Sequence, residues 1–139
     1  MRWDTPRERL DAFDRVLEEI KRDSDDETVI LVEGKRDIEA LVTLDVVEDE
    51  KDGAVRVSGN GRSLDETVAR VSTEFSEAIL LTDWDSQGDA LGLKLKELLE
   101  SHGVVPRTHH RKRLRNLTSK DIHDVESLAV HRRNMRSEI

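Results

Sequence analysis

The sequence predicts an α/β domain, a mainly parallel sheet with helices on both faces. Short apolar runs at 28–32, 54–58, 79–81 and 104–105 alternate with stretches in which apolar residues recur every three or four positions. Strict strand–helix alternation of this kind is the pattern of parallel strands joined by crossover helices. In addition, the first and third runs stop at acidic residues, Glu33 and Asp83, with a helix start close behind each. That places charge at the carboxyl ends of strands, where open α/β sheets bind ligands.

Each element has its own local signal. Thr5-Pro6-Arg7-Glu8 reads as a capping box with proline at the first helical position, and Leu10, Phe13, Leu17 and Ile20 supply the apolar face of a helix over 6–22. A polar linker, 23–27, ends this arm. The β-branched run TVILV forms the first core strand, Gly34 turns the chain, and Ile38, Leu41, Val42 and Leu44 continue at helical spacing. An acidic turn over 48–53 precedes the alternating strand AVRVS, and Gly59-Asn60-Gly61-Arg62 forms a flexible loop. Leu64, Val68 and Val71 then mark a helix over 63–74. Ile79, Leu80 and Leu81 read as a strand buried on both faces, and Leu91, Leu95, Leu98 and Leu99 as the stripe of a helix over 87–100. Gly103 stops that helix before the last short strand. Beyond it the chain is charged and partly helical, with a closing helix around Ile122, Val125, Leu128 and Ala129 and a frayed end over 132–139. The expected division is an N-terminal helix and linker (1–26), the α/β domain (27–110) and a basic C-terminal extension (111–139).

Composition narrows the function. The 139 residues suffice for one domain with its own core. The absence of cysteine excludes disulfides and thiolate metal sites. No apolar run approaches the roughly 20 residues of a membrane span, and the first residues lack the apolar core of a signal peptide, so a cytoplasmic protein with no membrane partner is expected. Charge is unevenly placed: residues 1–106 hold 14 Lys+Arg against 27 Asp+Glu, and residues 107–139 hold 9 against 4. The acidic part, rich in Asp, suggests a high-salt interior. It argues against a protein that coats nucleic acid generally, but not against an enzyme working through a metal and a local basic patch.

The chemistry concentrates at Asp83-Trp84-Asp85. In extended backbone, residues two apart point the same way, so the two carboxylates are expected to converge, and their repulsion calls for a proton or a cation. Several motifs fail to account for them. An EF-hand loop from Asp83 would need a bidentate Glu at its twelfth position, which is Lys94. A haloacid-dehalogenase-type phosphatase fits weakly, since Ser86 and Gln87 follow and the motif falls late in the chain. Gly59-Asn60-Gly61 does not extend to GxGxxG, and there is no P-loop.

Glu33-Gly34 after one strand, with Asp83-Trp84-Asp85-Ser86-Gln87-Gly88 after another about fifty residues on, resembles the Toprim domain of topoisomerases, bacterial-type primases and small RNA-maturation nucleases. Val32-Glu33-Gly34-Lys35-Arg36-Asp37 is similar to the start shared by small stand-alone members. The resemblance covers roughly 27–110. It implies a Toprim fold with Glu33, Asp83 and Asp85 as ligands of Mg2+, or Mn2+ in its place, and as catalytic groups, Glu33 also being a candidate general acid or base. It further implies action on phosphodiesters of RNA or DNA, with a nuclease as the enzyme expected. A non-catalytic metal-dependent docking module and a small-molecule phosphatase remain alternatives. The chain has no tyrosine, which strand-passing topoisomerases need. Lys35 and the cluster Arg107, Arg111, Lys112, Arg113 and Arg115 are candidate nucleic-acid contacts, or else solvated surface that complements the acidic body. Asp89 stands where some Toprim proteins carry a further acidic residue, but it also suits a helix dipole; Asp85 or Ser86 suits a helix cap, and Trp84 packing rather than base stacking. His109-His110 is set aside as a metal site, because neighbours in a strand point apart and no carboxylate partner is evident. Glu126 lies either on the closing helix's surface or toward the site.

Overall fold

A computed structural model describes residues 5–49 and 53–139; residues 50–52 of the expected acidic turn lie outside the described residues. The elements run α1 (Pro6–Asp23), β1 (Thr28–Val32), α2 (Lys35–Thr43), β2 (Ala54–Arg56), α3 (Leu64–Glu74), β3 (Glu77–Leu81), α4 (Ser86–Ser101), β4 (Val105–Arg107), α5 (His109–Thr118) and α6 (Leu128–Ser137). The four strands form one parallel sheet in the order β2-β1-β3-β4. The predicted α/β class with a mainly parallel sheet is thus the observed one.

The two faces follow from strand alternation. Ile30, Val32, Ile79 and Leu81 face a cluster built with α1, α2, α5 and α6, including Phe13, Ile20, Leu41, Leu114, Leu128 and Met135. Val29, Leu31, Ala78 and Leu80 face the opposite way, onto Val68 and Val71 of α3 and Leu95 and Leu99 of α4. Buried on both sides, β1 and the last four residues of β3 carry no polar side chain except Thr28, as central parallel strands require. β4 is short, contains Pro106, and pairs only with residues 77–79 of β3.

Caps fix the helix starts. Thr5 Oγ1 accepts from the Glu8 N–H, with Pro6 following, as the capping signal predicts. Ser63 and Glu66 form a reciprocal box at the start of α3. Ser63→Ala is expected to lower stability by about 1 kcal/mol, read as a shift in the urea midpoint at unchanged m-value.

Two expectations for the C-terminus are corrected. Residues 132–139 are not frayed: α6 runs to Ser137, Met135 is 6% exposed in the core, and Arg132 donates two hydrogen bonds to Asp14 of α1 at 2.8 and 2.9 Å. Nor does the closing helix begin at Ile122. The backbone at 122–125 is drawn instead to the end of β3, where the Ile122 carbonyl accepts from Trp84 Nε1, the His123 carbonyl accepts from the Trp84 N–H, and the Val125 N–H bonds Asp83. These tertiary bonds replace the helical ones, and α6 starts at Leu128 only after Asp124 has accepted from the Ser127 N–H.

Candidate metal centre

The strand order makes β1 and β3 the pair between which the chain changes direction across the sheet: β2 lies to one side of β1, and β3 and β4 to the other. Crevices at such switch points are the ligand sites of open α/β sheets. Glu33 leaves the end of β1 there and Asp83 the end of β3. They are joined directly, Glu33 Oε2 accepting from the Asp83 N–H at 2.8 Å.

Asp83 is the electrostatic focus. Its Oδ1 accepts from the Val125 N–H at 3.1 Å, which favours the charged form. Burial outweighs that bond, and the neighbouring carboxylates of Asp37, Glu33 and Asp124 add to it, so the Asp83 pKa is pushed up to about 7. Asp37 is itself 6% exposed; burial is also the main cause of its raised pKa, against the bond it accepts from the Gly34 N–H at 3.0 Å. A half-buried group of oxygen ligands in which one member is driven toward protonation is chemically suited to a hard divalent cation, whose charge would relieve both the burial cost and the repulsion.

Asp85 has a different setting. It is the N-cap of α4, its Oδ1 accepting from the Gly88 N–H at 2.7 Å. Asp83 and Asp85 do not share one extended strand, because β3 ends at Leu81 and α4 starts from Asp85. The turn is tight: a Cβ on Gly88 would stand 1.9 Å from the Asp83 carbonyl oxygen. Thr82 Oγ1 donates to the Gly88 carbonyl at 2.9 Å, tying the strand end to the first turn of the helix. Trp84, 3% exposed, packs into the core as its alternation predicts.

The basic cluster is largely occupied. Arg111 donates to the Thr82 carbonyl at 2.8 Å, to the Asp83 carbonyl at 2.5 Å and to Asp89 at 2.6 Å. Arg115 also bonds Asp89, at 3.1 Å, while Arg113 pairs with Glu19 and Arg107 with Glu77. Asp89 therefore serves as the anchor of two arginines, and its carboxyl is held below the usual range chiefly by the hydrogen bond from Arg111. Lys35 and Lys112 are exposed. Glu126, on the surface before α6, lies 3.4 Å from Arg36.

The reasoning that set aside His109-His110 is overturned. Both residues open helix α5 rather than a strand, their rings lie 3.9 Å apart, and His110 Nε2 meets Asp23 Oδ2 at 2.8 Å. Among the described residues, these three form the one group of three acidic or imidazole ligands whose donor atoms lie mutually within 4.8 Å.

Sequence reasoning missed Asp37, Asp124, Gly88 and the positioning role of Arg111. Gly88 had a signal, since a glycine in the first turn of an otherwise leucine-rich helix implies close backbone approach. Asp37 had one too, an acidic residue three positions after a capping glycine. Asp124 had none.

Residues 28–117 match the Toprim domain. The chain belongs to the Toprim family. This Toprim chain is 37% identical over 131 residues to a UPF0292 protein of Methanosarcina acetivorans, covering 94% of this chain and 87% of that one. To a UPF0292 protein of Pyrococcus horikoshii it is 31% identical over 121 residues, 87% of this chain and 84% of the other. A solved structure of a putative protein from Aquifex aeolicus is similar with a TM-score of 0.68 at 30% identity, over 82% of this chain and 95% of that one. Membership makes this Toprim chain a module related to metal and nucleic-acid binding, since Toprim domains bind divalent metal ions. No helix among the described residues is long and apolar enough to cross a membrane.

Proposed function

We propose that the chain is a Mg2+-dependent nuclease acting on nucleic-acid phosphodiesters, with Glu33, Asp83 and Asp85 as metal ligands. The observation that carries this reading is the meeting of Glu33 and Asp83 at the switch point of the sheet, Glu33 Oε2 on the Asp83 N–H, with burial and the nearby carboxylates of Asp37, Glu33 and Asp124 raising the Asp83 carboxyl. When bound, Mg2+ supplies charge stabilisation at the phosphoryl oxygens. The chain's own residues prepare the site. Glu33 fixes the Asp83 backbone through one carboxylate oxygen, and Glu33 is the group proposed to take or give the proton of the reaction. Arg111 holds the carbonyls of Thr82 and Asp83 from the other side. Val125 orients the Asp83 side chain.

A second reading is a non-catalytic module that docks RNA or DNA through the same metal. The commitment of the Asp85 carboxylate to capping α4 favours it.

Titration with Mg2+ or Mn2+ by calorimetry at high salt, on the native chain and on Asp83→Asn/Asp85→Asn, tests both readings alongside cleavage of a labelled structured RNA. The expected result is metal binding and metal-dependent cleavage in the native chain, and neither in the variant. Metal binding without cleavage would favour the docking module, and no metal binding would remove the basis of both.

The pH dependence has a definite sign. Because the folded-state pKa of Asp83 is raised from 3.8 to about 7, the native state holds the proton more tightly than the unfolded one. Without metal, stability from this group is full below 3.8 and declines as pH rises toward 7. A cation must displace the same proton. Apparent metal affinity, followed by calorimetry, should therefore climb with pH up to about 7 and then level off.

A further inference from the structure

The arginines of 107–115 are poorly placed to hold a substrate, because all four are already held by carboxylates, Arg111 and Arg115 sharing Asp89. Arg107, Arg111, Arg113 and Arg115 each face a carboxylate of the acidic body. A phosphate that recruited them would have to break those pairs and leave the carboxylates beside it, which offsets the gain from counterion release.

A second group of cations stands at the other side of the metal rim without such partners. Lys35, Arg56 and Arg62, with Asn60, line an open cavity of about 680 Å³. Among the described residues, the side chains of Lys35, Arg56 and Arg62 make no hydrogen bond or ion pair with any protein group. The cavity adjoins the strand end that carries Glu33: Lys35 follows it by two residues, and the Ser58 N–H donates to the Glu33 carbonyl at 2.9 Å. Its loop is held firm. Asn60 Nδ2 donates to the Arg56 carbonyl and to Thr67 Oγ1 at 3.0 and 3.1 Å, while its Oδ1 accepts from the Arg62 N–H at 2.9 Å. Gly59 and Gly61 supply the left-handed backbone, at φ 70° and 77°, that this turn needs.

We infer that the phosphate backbone of a single nucleic-acid strand runs through the Lys35–Arg56–Arg62 cavity beside the metal rim, and that the 107–115 arginines are structural. The inference deepens the proposed function and rests on it. The cavity brings together three unpaired cations, from the start of α2, the end of β2 and the following loop, in an otherwise acidic chain of net charge −8, so an anionic ligand is drawn to this side of the rim. The loop also lacks aromatic side chains. Recognition there therefore does not rest on base stacking, and the cations are offered to the phosphates.

The test is fluorescence anisotropy with a labelled single-stranded oligouridylate in Ca2+, over the salt range in which the protein keeps its native far-UV spectrum. Three proteins are compared: native, Lys35→Ala/Arg56→Ala/Arg62→Ala, and the charge-matched Lys94→Ala/Lys96→Ala/Arg133→Ala. The cavity variant is expected to bind at least tenfold more weakly. Its slope of log affinity against log salt should be shallower by about 1.4–2.1, the equivalent of two to three lost single-strand phosphate contacts. The charge-matched variant should stay within about threefold of native. Equal loss in both variants, or none in the cavity variant, would overturn this inference alone. Should the cavity variant lose its native spectrum, Arg62→Glu on the exposed loop replaces it, with weaker binding than the charge-matched variant and a slope shallower by about 0.7, the equivalent of one lost contact; a slope and affinity equal to native would overturn the inference. A native protein that binds no oligonucleotide would overturn the functional reading beneath it as well.

Discussion

Gly88→Ala is expected to destabilise the fold by about 3 kcal/mol or more, although alanine is the better helix former by roughly 1 kcal/mol. The added methyl would fall 1.9 Å from the Asp83 carbonyl oxygen, with the Asp83 carbonyl carbon and Cα also within 3 Å. These are backbone atoms, and Asp83 cannot retreat freely, being held through its N–H by Glu33 and through its carbonyl by Arg111. Either α4 moves away from β3 or the metal rim distorts. Gly92→Ala provides the contrast, since its methyl would meet only the Thr82 hydroxyl, at 3.0 Å. It should cost far less. Urea unfolding of the two variants measures the difference, and a Gly88→Ala protein as stable as the native one would show that the turn is looser than its geometry indicates.

Glu33→Gln should leave the fold intact and remove activity. A glutamine carbonyl oxygen can still accept from the Asp83 N–H, so the link between the ends of β1 and β3 survives and the melting temperature should move by only a few degrees. Turnover, by contrast, should fall by about 10²-fold or more, the usual contribution of a positioned general acid or base. Oligonucleotide binding should change little. A Glu33→Gln protein that cleaves at the native rate would remove Glu33 from the chemistry and leave it the backbone-holding role alone.

The parts of the site that were legible in the sequence are those with local signals. A buried run ending at Glu33 or Asp83 announces a strand terminus, and the capping residues and leucine stripe after Asp83 announce α4; both are decided within a dozen residues. Trp84 was readable as packing too, although it lies past the end of β3 and is held there by the Ile122 and His123 carbonyls. Contacts between distant segments were not readable. His110 meets Asp23 across 87 positions and Arg113 meets Glu19 across 94, so nothing in the 107–115 segment itself distinguishes a free basic patch from arginines paired with the acidic body. The path of 122–125 is similar. Its apolar spacing favours a helix, yet Trp84 and Asp83 offer its backbone better partners, and that competition exists only once β3 is in place. Asp124 enters the electrostatics of Asp83 by the same route and was invisible for the same reason.

The short strand β4 has a consequence for behaviour at high concentration. A sheet edge normally offers a row of unpaired amides to any passing strand, the route to edge-to-edge aggregation. Here the outermost strand is three residues long, with Pro106 at its centre and Arg107 beside it. The proline has no N–H to donate and the arginine adds a charge that an incoming strand must accommodate, so the sheet is closed to extension on that side by its sequence. An acidic chain depends partly on repulsion between molecules to remain dispersed, and salt weakens that protection. A blocked edge does not depend on charge alone, and keeps working where repulsion is screened.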